Sequence, residues 1–210
     1  MKDLEAIKAI VFDFGNVIIN IDFRLTFQAF AKFSNKTEDE IVRRFEKSQL
    51  IRRYEMGLFS DDEFFEIVRQ EIGYPIDNKE IIEAWNALLL DIPPERMELI
   101  QRLKRKYPVY LLSNTNALHI TECNKLLKKN WGIESVHHNF TKAYLSYEIG
   151  LWKPDEAIYH YVIDDLKLQP NEILFLDDLE ANVKGAANVG IQTIHVRPPE
   201  CITQLISHLA

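Results

Sequence analysis

Only two cysteines, Cys123 and Cys201, occur in 210 residues. They show no metal-ligand spacing and imply no disulfide framework, which fits a reducing cytoplasm and leaves both as buried or half-buried spectators. Glycine is also scarce, at seven residues. No glycine-rich phosphate loop is present, so an anion site must rest on the free amides at helix starts and on side chains. No apolar stretch approaches the roughly 18 residues of a membrane span. The start, Met1-Lys2-Asp3-Leu4-Glu5, carries acids and no apolar leader segment, so a soluble, unprocessed, cytoplasmic protein with no membrane partner is expected. Positive charge is short, with 25 Lys and Arg against 32 Asp and Glu and a net charge of −7. That balance disfavours a nucleic-acid partner, which calls for a clustered basic face, and none is expected. Arg43, Arg44, Arg52 and Arg53 are interleaved with Glu46 and Glu55 and read as a solvated helix face. Internal repeats and low-complexity tracts are absent, and no feature specifies an oligomeric state.

What is present is a set of apolar runs ending in polar residues. Ile7 to Phe12 shows no period-two alternation and therefore reads as a strand covered on both faces, the signature of a parallel sheet. It ends in Asp13-Phe14-Gly15-Asn16-Val17, and in open α/β sheets ligands bind beyond the carboxyl ends of the strands. Asp13 is thus placed to act on a ligand, with Gly15 leaving room for backbone approach; a turn-capping aspartate is the alternative. Val109 to Leu112 ends in Ser113-Asn114-Thr115-Asn116 ahead of a helical pattern through Leu118, Leu126 and Leu127. That arrangement offers a hydroxyl and fresh helix amides to an anion, or a helix cap. Ile173 to Leu176 ends in Asp177-Asp178, followed by a helix carrying Val183, Ala186 and Ala187 and closing at Gly190. Adjacent carboxylates at a buried strand end require a cation or a proton. Hard oxygen donors of this kind suit Mg²⁺, which pairs one or two carboxylates with substrate phosphate; the alternative is Asp178 as a helix N-cap with Asp177 solvated. Asn182, one turn on, can orient either acid. In Gly150-Leu151-Trp152-Lys153-Pro154-Asp155, Pro154 predicts the first turn of a helix through Ile158 and Val162. Lys153 then stands where it opposes the helix dipole unless an anion compensates.

The order Asp-x-Gly-x-Val, Ser-Asn, Lys-Pro, Asp-Asp, with each element after a strand or opening a helix, resembles the haloacid dehalogenase superfamily over almost the whole chain. The phrases DFGNV, LLSNTN, LSYEIGLWKPDEAIY and FLDDLEANVKGAANVG are most similar to bacterial α-glucose-1-phosphate phosphatases and to the phosphatase domain of soluble epoxide hydrolases. The resemblance implies an α/β fold: a Rossmannoid parallel sheet flanked by helices, with an inserted helical cap. It implies a phosphoric monoester hydrolase acting on small phosphorylated metabolites such as glucose 1-phosphate. Asp13 is then the nucleophile and forms an aspartyl phosphate. Mg²⁺ is held by Asp13, the Gly15 carbonyl and Asp178, with Asp177 reaching it through a water. Lys153 holds Asp13 and the phosphate together, while Phe14, Gly15, Ser113 and Asn114 bind phosphate oxygens. One position departs from the pattern. Most phosphatases of the superfamily carry a second aspartate at the place of Gly15, and its loss removes a general acid/base worth about 10²- to 10⁴-fold. Substrates with an acidic leaving oxygen, such as sugar 1-phosphates, suffer less from that loss. Asp22 is a conceivable surrogate base, although an exposed loop acid is the simpler reading.

Between the first two motifs, from about Phe23 to Leu90, helical periodicity replaces the strand pattern. Thr37-x-x-Glu40 and Ser60-x-x-Glu63 read as capping boxes, and Asn78 opens a run with Ile81, Ile82, Trp85, Leu88 and Leu89 on one face. Residues 1–19 and 92–210 are expected to form the core and 20–91 the cap, with a return at Pro93-Pro94. A cap over a phosphoryl site excludes water and supplies substrate contacts. Tyr54, Glu55 and Gly57, placed between two helices, are the candidate substrate loop, with Trp152 facing them from the core. Glu200 to Ala210 is expected to be a closing helix. Gly15 keeps a haloacid dehalogenase reaction open as a competing reading, against which Asp177-Asp178 speak. It also keeps open a non-catalytic phosphate-binding protein of this fold. A phosphosugar mutase relies on the missing aspartate and is disfavoured.

Overall fold

The computed structural model describes residues 6–210; the acidic start read above, Met1 to Glu5, lies outside the described residues. Among the described residues five strands, β1 (Ala9–Phe12), β2 (Val109–Ser113), β3 (Lys142–Leu145), β4 (Ile173–Asp177) and β5 (Gln192–His195), pair in parallel in the order β3-β2-β1-β4-β5. All four residues of β1 are buried. Ile10 and Phe12 pack into one apolar cluster with Leu111, Met97, Ile100 and Ile206, whereas Val11 joins a second with Phe175, Tyr144 and Tyr159. The absence of alternation in the sequence thus has its cause in a sheet covered on both faces. Phe12 pairs with Leu111 on one side and Leu176 on the other, so Asp13 leaves the sheet between the tips of β2 and β4.

Five helices separate β1 from the rest of the core: α1 (Phe23–Phe33), α2 (Glu38–Lys47), α3 (Leu50–Glu55), α4 (Asp61–Ile72) and α5 (Asn78–Asn86). Thr37 with Glu40 and Ser60 with Glu63 form reciprocal capping boxes, satisfying two otherwise orphaned N–H groups at each helix start. Asp77 with Glu80 makes a third, so Asn78 is the first helical residue and Asp77 the cap. These helices bury an apolar cluster of their own, including Phe30, Phe45, Phe64 and Trp85. Their two connections to the sheet run side by side: Ile21 bridges Leu89, Asn20 N–H donates to the Asp91 carbonyl and Leu90 N–H to that of Asn20. On these grounds we propose the division into a core of residues 1–19 and 92–210 and a cap of 20–91.

The remaining helices, α6 (Pro94–Leu103), α7 (Ala117–Trp131), α8 (Val136–Asn139), α9 (Ser146–Ile149), α10 (Glu156–Leu166), α11 (Glu180–Asn188) and α12 (Ile202–Ile206), flank the sheet or link its strands. Two expectations need correction. Helix α10 begins at Glu156 with Asp155 as its N-cap, so Pro154 lies ahead of the first turn rather than in it. The closing helix is only five residues long and ends in a 3₁₀ turn, Ser207–Leu209. Its anchoring is as expected, with Ile202 and Ile206 fully buried. Among the described residues no helix is long and apolar enough to cross a membrane.

Candidate active site

The strand tips converge on Lys153, whose side chain is 1% exposed. Its ammonium donates to Asp13 Oδ1 at 2.6 Å, to Asp177 Oδ2 at 2.8 Å and to the Leu112 carbonyl at 2.8 Å. All three of its protons are therefore committed, to groups from β1, β2 and β4. This explains how a lysine survives burial at all, since an unpaired charge there would be prohibitive. The compensating anions are these carboxylates; the helix dipole invoked from sequence is not the relevant field, because α10 starts three residues later.

Second contacts hold the constellation in place. Lys153 N–H donates to Asn114 Oδ1 and Asn114 Nδ2 donates to the Lys153 carbonyl, both at 2.9 Å, clamping the loop before α10 to the tip of β2. Asp177 is wholly buried and also accepts from Leu179 N–H at 2.8 Å and from Asn182 Nδ2 at 3.0 Å. Asn182 thus orients Asp177, not Asp178. Asp178 is half-buried and accepts from Asn16 Nδ2 at 3.1 Å, while Asn16 Oδ1 takes the N–H of Ile21. Neither acid caps α11, whose N-cap is Leu179. Asn16 escaped notice in the sequence; its signal is a positive φ of 55°, a conformation asparagine tolerates better than most residues.

Three carboxylates face one ammonium. Oxygens of Asp13, Asp177 and Asp178 lie within 4.8 Å of one another. Burial raises Asp13 above the ordinary carboxylate range and the charges of Asp177 and Asp178 add to the rise, with Lys153 pulling against them. Asp178 is raised by burial first, with a further rise from Asp177, against the opposing bond from Asn16. Burial pulls Lys153 down, but the charges and hydrogen bonds of Asp13 and Asp177 outweigh it and its net displacement is upward. The lysine stays charged, so the excess of negative charge falls on the acids. A divalent cation with hard-oxygen preference fits such a donor set and would relieve the repulsion.

Beside this centre, at the residues that follow Asp13 and at the tip of β2, lies a cavity of about 40 Å³, lined by Phe14, Gly15, Ile21, Glu55, Ser113 and His119 among others. It holds little more than a water. A wider concavity of about 640 Å³, around Met97, Gln101 and Trp131, includes none of these residues. Phe14, Gly15, Ser113 and Asn114 all line the small cavity. Tyr54 does not: its ring stacks on Phe64 at 4.0 Å and its hydroxyl donates to Asp61 at 2.6 Å, inside the cap. Tyr54 and Glu55 end α3 and do not lie between helices. Trp152 reaches the cap as expected, donating from Nε1 to Glu55 Oε2 at 2.9 Å, with Arg52 over its ring. Arg52 is no bystander either, since it pairs with Asp155 of the core at 2.7 Å. Glu55, read within a solvated face and as a loop residue, is 5% exposed and pushed up to about 7 by burial. Asp22 caps α1 and bonds Arg24, and it does not line the cavity. His119 was missed: it stacks on Trp85 at 5.0 Å, bonds Asn116 and the Trp85 carbonyl, and is pulled down to about 4 by burial.

A parallel sheet whose strand tips gather a lysine and three acids defines a Rossmannoid α/β centre built around one aspartate. The chain belongs to the haloacid dehalogenase-like hydrolase family, whose model matches residues 7–190. D-ribitol-5-phosphate phosphatase of Bacteroides thetaiotaomicron is 31% identical over 188 residues, covering 89% of this chain and 90% of that one. A haloacid-dehalogenase-family enzyme of the same organism, solved with magnesium and inorganic phosphate, superposes with a TM-score of 0.84 at 35% identity, covering 95% and 99% of the two chains. Rat bifunctional epoxide hydrolase 2 is 48% identical over 95 residues, covering 45% of this chain and 17% of that larger protein.

Proposed function

We propose that the protein is a Mg²⁺-dependent phosphoric monoester hydrolase acting on small phosphorylated metabolites, with sugar phosphates such as glucose 1-phosphate as the class. The observation that carries this reading is the bridge from Lys153 Nζ to both Asp13 and Asp177 beside Asp178. The family membership and the full-length similarity to a sugar-alcohol phosphatase support it. Asp13 Oδ attacks phosphorus, the bond to the ester oxygen breaks, and an aspartyl phosphate forms. Lys153 offsets the repulsion between the incoming dianion and Asp13. Ser113 and the backbone amides after Asp13 and Ser113 receive the equatorial oxygens, preorganised because the Asn114 clamp fixes their loop. Asp13, the Gly15 carbonyl and Asp178 would hold Mg²⁺, which would supply positive charge for the phosphoryl oxygens. Asp177, saturated by Lys153, Leu179 and Asn182, positions the lysine and would act on the metal only indirectly. A reducing, cytoplasmic setting belongs to the same reading, supported by two free thiols.

Dehalogenation remains the rival chemistry, since it too uses an aspartate nucleophile. The acid pair beside Asp13, which only a cation makes useful, favours phosphate. The deciding experiment is a panel of phosphate monoesters with and without Mg²⁺, run on the wild type and D13N. Mg²⁺-dependent phosphate release that D13N abolishes is expected. Halide release from 2-chloropropionate without metal, or undiminished ester cleavage by D13N, would overturn the reading.

A further inference from the structure

The position that supplies a general acid in most phosphatases of this family is Gly15, and the space beside it is taken. A Cβ built on Gly15 would come within 2.7 Å of Ile21 Cδ1 and 4.0 Å of Asp13 Oδ2. An aliphatic side chain from the cap connection therefore crowds the first carbon of any side chain at this position. Asp177 is saturated, and Asp22 is occupied with its own helix. His119 lines the cavity, but its two ring nitrogens are engaged by Asn116 and the Trp85 carbonyl.

One acid enters the cavity from the other side. Glu55, the last residue of α3, lines it together with Gly15, Ser113 and Asn114. Trp152, next to the buried lysine, fixes the carboxyl group by donating to Oε2, while Oε1 has no hydrogen-bond partner among the described residues. Two further contacts hold α3 against the core. Arg52 pairs with Asp155, and the backbone at Gly57 approaches the Tyr147 carbonyl so closely that a Cβ would collide with it. From this geometry we infer that Glu55 is the general acid/base of the phosphatase reaction, supplied by the cap in place of the residue missing at Gly15.

The inference rests on the phosphatase reading above. In the first step the Asp13 oxygen–phosphorus bond forms and the ester oxygen–phosphorus bond breaks, while the proton on Glu55 Oε1 passes to the departing oxygen. In the second, a water oxygen bonds phosphorus as the Asp13 oxygen–phosphorus bond breaks, and the water's proton returns to Glu55. Phosphate, alcohol and the starting enzyme result. A burial-raised carboxyl group near neutrality is suited to both directions of transfer. The groups facing it are Lys153, whose charge lowers it, and Trp152 on the core side; His119 and Cys123 from α7 share its cavity. Because the donor rides on the cap, catalysis of poor leaving groups is tied to cap closure. It also widens the substrate class: with Glu55 in place, ordinary alkyl monoesters of sugars and alditols are cleaved as well as anomeric ones.

The test compares kcat/KM, which reports the steps through release of the alcohol, for p-nitrophenyl phosphate, glucose 1-phosphate and glucose 6-phosphate in the wild type, E55Q, W152F and D13N. For E55Q the 6-phosphate is expected to fall by about 10²- to 10⁴-fold and the nitrophenyl ester by about tenfold at most, leaving a preference for acidic leaving groups. Equal losses on all three esters, or none, would overturn the role of Glu55. W152F keeps the carboxyl group but removes a donor to its ionised form, so the alkaline limb of the 6-phosphate pH profile should move to higher pH; an unmoved limb counts against the assignment even if E55Q folds poorly. D13N separates the two readings. If it abolishes all three activities while E55Q leaves the leaving-group dependence unchanged, only the present inference fails, whereas an active D13N removes the phosphatase reading itself.

Discussion

Asn114 and Lys153 are joined twice, side-chain oxygen to main-chain N–H and side-chain N–H to main-chain carbonyl, each at 2.9 Å. An asparagine at the tip of β2 thus takes the place of a strand partner for a loop that has none. Asn114→Ala leaves a half-buried N–H and C=O unmatched, for a loss on the order of 1–3 kcal/mol in unfolding free energy. Asn114→Asp keeps the acceptor but sets a negative charge against the Lys153 carbonyl, and should be no milder. Urea unfolding measures the loss, and kcat/KM should fall in parallel as Lys153 drifts from Asp13. An alanine variant of wild-type stability and activity would show that the clamp is incidental.

Removing the ammonium itself is more severe. Lys153→Met leaves Asp13 and Asp177 buried without their cation, and breaking a buried pair in this way costs about 3–5 kcal/mol. Turnover should fall by at least 10²- to 10³-fold, the usual worth of one preorganised charge donor. Lys153→Arg should not rescue it, because a planar guanidinium cannot reproduce three divergent bonds to three strand tips. Thermal melting with and without phosphate, alongside turnover, checks both parts.

Metal dependence should be visible in stability as well as in activity. Chelation by EDTA is expected to stop turnover, and Mg²⁺ at a hundredfold its Kd should stabilise the fold by about 2.7 kcal/mol. Asp178→Asn should abolish the Mg²⁺-dependent rise in Tm. In EDTA the same variant should match or exceed the wild type, because it removes an acid whose ionisation is opposed by burial and by Asp177. Equal Mg²⁺ shifts in both proteins would place the cation elsewhere.

The strand tips were legible from sequence because each combines an unbroken apolar run with an abrupt polar end, a local pattern that parallel sheets impose. Asp13, Ser113 and Asp177 therefore stood out in order, and the capping boxes at Thr37 and Ser60 did so because their chemistry lies within four residues; Lys153, which ends no strand, stood out only beside the other three. The cap-to-core relationship was not legible. Which side of α3 faces the sheet depends on contacts across some hundred residues, such as Trp152 to Glu55 and Arg52 to Asp155. Charged residues on a short helix look alike whether solvated or buried, so Glu55 and Arg52 were read into a surface. Tyr54 was read into the substrate loop by nearness to Gly57, whereas the turn of the helix points its ring at Phe64.

Tyr54→Phe tests that last point. The change removes the hydroxyl bond to Asp61 but keeps the stacked ring, so the loss should be about 1 kcal/mol. Relative kcat/KM across the ester panel should be unchanged. A reordered panel would return Tyr54 to the substrate surface.

Glu55 makes the stability of the protein depend on pH with a definite sign. Its carboxyl group is raised from 4.5 to about 7 in the folded state by burial, against the opposing Trp152 bond and Lys153 charge. Between these values the unfolded chain has released the proton while the folded one retains it, so the folded state binds more protons and stability falls as pH rises. The contribution is fully present below about pH 4.5, declines through the interval and is gone above about pH 7, a change on the order of 3 kcal/mol. Asp13 and Asp178 are displaced in the same direction, so the wild-type curve alone does not isolate Glu55. The difference between wild type and Glu55→Gln does, since the amide has no proton to lose in this range and the other acids are common to both. Urea unfolding at pH 4.5 and pH 8 should show E55Q gaining on the wild type by about 3 kcal/mol between the two. Parallel curves would mean that the folded protein holds Glu55 ionised, and a proton donor in the cap would then have to be sought elsewhere.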